Sequence, residues 1–179
     1  MQLESARLII REFGNHDFDG VHAYASDPEV TEFTMWGPNT KEDTLKFLED
    51  MIQMQEERPR TGYELALVLK DSGQLIGGVG LHQMNRNAEL GYCLNKNYWR
   101  KGYASEAAKA LCRFGFEQLD VHRIYATCRP GNIGSASVMR SIGMKQEGHL
   151  RQHLHYKGSY HDSYLYSILK DEFTIKSST

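Results

Sequence analysis

The sequence predicts a mixed α/β fold: a central, mostly antiparallel sheet with one parallel βαβ crossover, flanked by helices. Three observations predict it. Segments 63–70, 75–82 and 88–94 have strand-type side chains and are separated by short turn sequences, which makes an antiparallel meander. Ala104, Ala107, Ala108, Leu111 and Phe114 then fall on one helical stripe. A further strand at 122–129 follows, and a strand–helix–strand run of this kind sets its two strands parallel. The 179 residues contain no repeat, low-complexity segment or linker, so residues 1–179 are expected to form one domain.

In chain order, RLIIR at 7–11 reads as a first strand, and 17–26 as a short amphipathic helix with Phe18, Val21 and Tyr24 or Ala25 inward. Asp27-Pro28-Glu29 looks like an N-cap followed by a first-turn proline, and 32–38 is an irregular aromatic segment. Thr40 opens a longer helix. Thr40 and Asp43 have capping-box spacing, with Asp in place of the usual Glu. Leu45, Leu48, Ile52 and Gln55 mark its face, and Pro59 ends it. Asp71-Ser72-Gly73 turns the first hairpin, and 83–87 turns into the 88–94 strand, where Leu90, Tyr92 and Leu94 share a face. A helix at 105–119 follows. After the 122–129 strand comes a helix at 132–141, with Ala136, Met139 and the stem of Arg140 inward and Gly143 at C′. Strands at 145–150 and 163–169, joined through Lys157-Gly158-Ser159, complete the sheet.

Composition excludes several classes. A net charge of −2 argues against broad nucleic-acid binding, which depends on neutralising phosphates. MQLESARLIIREF has no signal-peptide apolar region, and no apolar run approaches a membrane span, so a reducing cytoplasm is the expected compartment. Cys93, Cys112 and Cys128 are odd in number and form no C-x-x-C pair. No H-E-x-x-H or similar ligand pair occurs among the eight histidines, so no metal is expected.

Three places invite chemistry. Between the 88–94 strand and the helix stands Tyr98-Trp99-Arg100-Lys101-Gly102-Tyr103. A helix start presents unpaired N–H groups and the positive end of its dipole; Gly102 lets a ligand approach the backbone, and Arg100 and Lys101 add charge. These parts suit a phosphate, although an ordinary basic turn has the same composition. Neither the P-loop string nor the G-x-G-x-x-G fingerprint occurs. Second, Arg129-Pro130-Gly131-Asn132-Ile133-Gly134-Ser135 reads as a helix start with Asn132 at the N-cap and Ser135 at N3. Third, Glu89 shares a strand face with Gly91 and Cys93. A carboxyl there, among small and apolar neighbours, invites a raised pKa useful to a general base; an exposed strand glutamate is the plainer reading.

Trp99 to Ala104 resembles the acyl-CoA pyrophosphate loop of the GNAT N-acetyltransferase superfamily, Gln/Arg-x-x-Gly-x-Gly/Ala, matching at Gly102 and Ala104 and departing at Trp99. Ala88-Glu89-Leu90-Gly91-Tyr92 resembles the family's A-E-I-G-Y, and Arg129 to Ser135 its R-x-x-N-x-x-S. The order of elements is similar too, so the resemblance covers nearly the whole chain. Ser5-Ala6-Arg7-Leu8-Ile9-Ile10-Arg11 resembles the start of the RimJ/RimL-like branch, which acetylates ribosomal-protein N-termini, and Tyr156 to Asp162 resembles that branch's G-x-x-x-D segment.

The resemblance implies acetyl-CoA as acetyl donor and direct attack of a primary amine on the thioester, with a protein N-terminal α-amine as acceptor. It places the cofactor on Tyr92, Cys93, Leu94, Arg100, Lys101, Gly102, Tyr103, Ala104, Ser105, Asn132 and Ser135, with a backbone N–H near Leu94 meeting the oxyanion. Ser135 would assist the leaving sulfur and Glu89 would act as base through water. An α-amine, with a pKa of about 8, asks less of a base than a lysine near 10.4. In some relatives a later glutamate is the base, but Leu154 stands near that place here, which leaves His153 as a substitute. Phe33, Trp36, His82, Met84 and Tyr156 are candidates for an acceptor pocket or for core, and Asp162 for ordering its own loop or meeting an amine. The resemblance is compatible with a homodimer. Two other functions fit the same residues: acetylation of a small amine or antibiotic, and acyl-CoA binding without catalysis.

Overall fold

Alternation of side chains along the strands divides this protein into two cores on either side of one sheet. The computed structural model describes residues 1–177. Its sheet has eight strands in the order β1-β2-β3-β4-β5-β6-β8-β7: β1 Gln2–Glu4, β2 Leu8–Glu12, β3 Gly62–Leu69, β4 Leu75–Met84, β5 Asn87–Leu94, β6 Arg123–Cys128, β7 Lys145–Tyr156 and β8 Ser159–Leu169. The helices are α1 Phe18–Ala25, α2 Lys41–Glu56, α3 Tyr103–Gln118, α4 Ile133–Ser141 and α5 Lys170–Ser177. Leu65, Leu81, Leu90, Ile124 and Ile168 bury one sheet face against Ala107, Leu111 and Phe116 of α3 and Met139 of α4. Ala66 and Val68, one residue out of step with Leu65 and Leu67, point to the other face and pack with Val21, Tyr24 and Ala25 of α1 and Leu48 of α2. Each fully buried leucine contributes about 1.5–3 kcal/mol of apolar transfer.

The meander β3-β4-β5 is antiparallel, as the sequence predicts, and β5 pairs with β6 in parallel across α3. That parallel ladder is short: Asn87↔Arg123, Ala88↔Ile124 and Glu89↔Tyr125. Beyond it β5 stays on β4 as far as Leu94, and β6 stays on β8 as far as Cys128, but the two no longer pair with each other. The sheet is therefore split on one side of its middle.

The Thr40 capping box forms in full: Thr40 Oγ1 accepts from the Asp43 N–H at 3.1 Å, and the Asp43 carboxylate accepts from the Thr40 N–H at 2.9 Å. Gly143 sits at C′ of α4 with φ +95°. Four details differ from the sequence expectation. No helix starts at Asp27-Pro28; the Asp27 carboxylate accepts the Glu29 N–H at 2.9 Å and closes a turn instead. Leu45 is 52 % exposed, because α2 turns Thr44 and Leu48 inward, with Thr44 Oγ1 2.9 Å from His22 Nδ1. An edge strand, β1, precedes the expected first one, its residues paired with Ile9 to Arg11 of β2. The last hairpin is longer than expected: β7 and β8 run to a two-residue turn at Lys157 (φ +48°) and Gly158 (φ +77°), the left-handed pair that matches strand twist.

Arg11 fixes the entry to α1 through two 2.7 Å hydrogen bonds to Asp17, which is 4 % exposed and also accepts the Gly14 N–H. Burial works to raise the Asp17 pKa, but the Arg11 and Gly14 hydrogen bonds and the Arg11 charge outweigh it and hold the carboxyl below its usual range. A lowered folded pKa gives stability that is present above the unfolded value of about 3.9 and is lost as pH falls through the folded value. Asp17→Asn is expected to cost about 3 kcal/mol in urea unfolding at pH 7, the low end for a broken buried pair because Arg11 is partly exposed. The difference from wild type should shrink steadily as the titration is repeated below pH 4.

Candidate active site

The split between β5 and β6 leaves backbone groups without a strand neighbour. The Asn95 N–H bonds to Ile76 O on β4 at 2.9 Å, so by alternation the N–H and C=O of Tyr92 and Leu94 point the other way, into the gap. Trp99 Nε1 confirms that direction by donating to Leu94 O at 2.8 Å. This bond also accounts for the tryptophan at the position where the quoted loop pattern departs: the indole ties the turn to the strand end.

The turn itself is a 3-10 segment, Lys96–Tyr98, followed by left-handed residues at Arg100 (φ +59°) and Gly102 (φ +83°). Gly102 is the N-cap of α3, and no side chain caps that helix, so the first-turn N–H groups of Tyr103, Ala104 and Ser105 lack a side-chain acceptor. An anion is the natural complement. Lys101 lies with its Nζ 5.3 Å from the centre of the Tyr98 ring. Ser105 Oγ is 2.7 Å from Ser141 Oγ, joining the first turn of α3 to the end of α4.

Arg7 and Glu106 hold this loop and were not singled out as site residues by sequence reasoning. Arg7 donates to the Lys101 carbonyl at 3.0 Å and to Glu106, and its guanidinium lies 4.3 Å from the centre of the Tyr103 ring. Glu106 also accepts from Ser5 Oγ at 2.7 Å; although its burial opposes ionisation, the Arg7 and Ser5 hydrogen bonds keep its carboxyl below the usual range. The available signal was Arg7 within the Ser5–Arg11 motif, though nothing local to it names a partner 99 residues away.

Across the gap, Tyr92 of β5 reaches α4. Its hydroxyl donates to Ser135 O at 2.9 Å and lies 3.0 Å from Ser135 Oγ. Burial, the largest influence, pushes the Tyr92 pKa up, so the phenol stays protonated. Asn132 caps α4 as its position predicts, with Oδ1 accepting the Ser135 N–H at 3.0 Å. The structure thus brings Tyr92, Leu94, Asn132 and Ser135 to one opening beside the uncapped start of α3.

Glu89 stands on the opposite sheet face from Leu90 and Tyr92, as expected, but it is exposed. The desolvation behind the sequence expectation is absent because α1 and α2 cover β2–β4 and reach β5 only at Cys93, and a Cβ built on neighbouring Gly91 would meet no atom within 4 Å. Glu89 sits in a cross-strand row between His82 and Tyr125. His82 has a raised pKa, chiefly through its 2.6 Å hydrogen bond to Glu64, against its burial and with help from the Glu64 and Glu89 charges. Cys93 is half-buried against the α1–α2 core, burial pushes its thiol up to about 12, and by the same alternation its backbone groups face Gly78 on β4 rather than the gap, so the site role expected of it is not supported. His153 hydrogen-bonds through Nδ1 to Ser163 Oγ on β8 at 2.8 Å.

Of the expected acceptor residues, Phe33 and Tyr156 do line a cleft of about 320 Å³, together with Arg129, Gly131, His161 and Asp162. Trp36 and Met84 are 42 % and 64 % exposed and do not line it. Asp162 orders its own segment: one oxygen accepts the Gln152 N–H at 2.8 Å and the other meets His149 Nε2 at 2.6 Å. No cluster of potential metal ligands occurs among the described residues.

A sheet opened between two parallel strands, with a basic glycine turn leading into an uncapped helix, offers a place for an extended ligand that carries an anion. Residues 7–145 match the acetyltransferase (GNAT) domain, and the chain belongs to that family; it is an N-acetyltransferase. It is 35 % identical to the uncharacterized N-acetyltransferase YnaD of Bacillus subtilis, over 97 % of this chain and 99 % of that protein. It is 27 % identical to the ribosomal-protein-serine acetyltransferase of Escherichia coli, over 74 % of this chain and 73 % of that one. Among solved structures, a GNAT-family acetyltransferase from Bacillus anthracis superposes with a TM-score of 0.86 at 34 % identity, covering 96 % of this chain and all of that one.

Gly102 carries the positive φ that an L side chain resists. Gly102→Ala is expected to cost about 1–2 kcal/mol in chemical denaturation.

Proposed function

We propose that the protein transfers the acetyl group of acetyl-CoA to a primary amine, in the first instance the α-amine of a protein N-terminus such as that of a ribosomal protein. The observation that carries this reading is the backbone edge of β5, left open at Tyr92 and at the Leu94 N–H, beside the uncapped start of α3. The residues present fit the cofactor: a diphosphate suits the N–H groups of Tyr103, Ala104 and Ser105 with Arg100 and Lys101 nearby, and the amides of a pantetheine arm suit the Tyr92–Leu94 edge as an added strand. Acetyl-CoA supplies an activated acyl group whose thiol, with a pKa near 8.5, is a tolerable leaving group.

The chain's own residues then divide the work. The Leu94 N–H, directed into the gap, serves the carbonyl oxygen as charge builds on it. The amine nitrogen bonds to the acyl carbon as the carbon–sulfur bond breaks. Glu89, through water, receives the ammonium proton, and Ser135 donates a hydrogen bond toward the departing sulfur. Tyr92 holds Ser135 in place from across the gap. An α-amine, with a pKa of about 8, asks less of any base than a lysine side chain near 10.4. The likeness to a ribosomal-protein-serine acetyltransferase supports a protein N-terminus as acceptor. We read residues 1–179 as one such domain, working in the cytoplasm; no helix among the described residues is long and apolar enough to cross a membrane.

The test is thiol release from acetyl-CoA by purified protein, screened across N-terminal peptides and small amines. Turnover with peptides and not with small amines supports the reading; turnover confined to small amines transfers it to a small-molecule or antibiotic acceptor. Coenzyme binding without release from any amine leaves a binding module instead. Where turnover is seen, Ser135→Ala should lower kcat about tenfold, about 1.4 kcal/mol in barrier, without abolishing it.

A further inference from the structure

Arg129 follows directly on the end of β6, and it is only 7 % exposed. Its Nη2 reaches Thr127 Oγ1 at a long 3.4 Å, and its Nε has no partner. Tyr156, at the end of β7, is 8 % exposed, and its hydroxyl is likewise unpartnered. Among the described residues these are the two buried side-chain polar atoms left in that state, and both residues line the 320 Å³ cleft.

A buried N–H or O–H left unpaired costs about 1–3 kcal/mol, and more for a charged group. The nearby carboxylates do not relieve it. Asp162 has both oxygens committed to Gln152 and His149, and Glu32 stands exposed at the rim. The rest of the wall is fixed. His161 stacks on the Tyr156 ring with centroids 3.9 Å apart, and a Cβ built on Gly131 would lie 3.2 Å from Phe33 Cε1. The two unpartnered donors, one of them cationic, belong to residues that line the same cleft, and a carboxylate offers two oxygens to such a pair.

Place links the cleft to the reacting groups. Thr127 lies on the same face of β6 as Tyr125, whose cross-strand partner is Glu89. The Arg129 carbonyl accepts the Asn132 N–H at 2.9 Å, so one turn carries both the guanidinium and the cap that holds Ser135. We propose that Arg129 Nε–H and the Tyr156 hydroxyl bind a carboxylate on the acceptor, so that the enzyme prefers amines that also carry an acid. The inference rests on the acetyl-transfer reading for the identity of the acceptor. The carboxylate can come from a free amino acid or from an acidic side chain next to a peptide N-terminus.

Two acceptor pairs separate these sources: a peptide amide with Asp at its second position against its Asn counterpart, and a free amino acid against its amide. In thiol release, kcat/KM should favour the acid member at least tenfold in one pair, and that pair names the source. Arg129→Gln should bring the ratio toward one, Arg129→Lys should keep part of it, and Tyr156→Phe should reduce it severalfold. Equal kcat/KM within both wild-type pairs overturns the proposal, as does an undiminished ratio in Arg129→Gln. A second arm needs no turnover: the CoA-loaded protein is titrated calorimetrically with the N-acetylated acid and amide of each pair. Preferential binding of the acid, lost in Arg129→Gln or, should that variant misfold in a thermal melt, in Tyr156→Phe, supports the proposal; equal or absent binding refutes it. If no amine is acetylated, the acetyl-transfer reading fails, and the titration still decides the carboxylate site.

Discussion

The separation of β5 from β6 after three residue pairs is the constraint on which the site depends. A parallel ladder continued to the strand ends would consume the gap-facing groups of Tyr92 and Leu94. Because each strand keeps its outer neighbour, the opening adds no free sheet edge at the periphery, and the cost of leaving peptide groups unpaired falls where a ligand can satisfy them. The Tyr92–Ser135 contact spans the opening and ties β5 to the start of α4.

Electrostatics near the turn follow the same division between support and function. Arg7 is used structurally, pinned by Glu106 and the Lys101 carbonyl, and it fixes the path of the turn. The first-turn amides of α3 are left without a side-chain cap. On the other side of the sheet, Glu64 and His82 pair with each other, while Glu89 faces solvent at the uncovered end of the floor. A scaffold that satisfies its own charges and leaves a few donors unmet directs binding toward those few.

Most of the fold was legible because the signals were local. Alternation at 88–94, the Thr40–Asp43 spacing and the glycine at Gly143 each act within a turn or two of chain, and each forms as read. The α2 face was misjudged at Leu45 because an amphipathic stripe tolerates a neighbour one residue round, and only the packing of Thr44 against His22 fixes the rotation. The helix expected at Asp27-Pro28 failed for a related reason: the same Asp-Pro chemistry serves a turn equally well. In the site, Gly102, Asn132 and Ser135 were recognisable from motif and cap chemistry. The burial of Arg129 and the exposure of Glu89 were not, since both depend on which helices cover which part of the sheet.

By itself the sequence determined most of the strands and helices, the Thr40 and Asn132 caps and the one parallel crossover, because period and turn chemistry are properties of neighbouring residues. Only the tertiary structure decided where β5 and β6 part, how Arg7 reaches Glu106, and that Arg129 and Tyr156 share a cleft with their donors unmet. Those are relations between segments far apart in the chain, and they exist only once the sheet has assembled and excluded water from one part of its surface but not another.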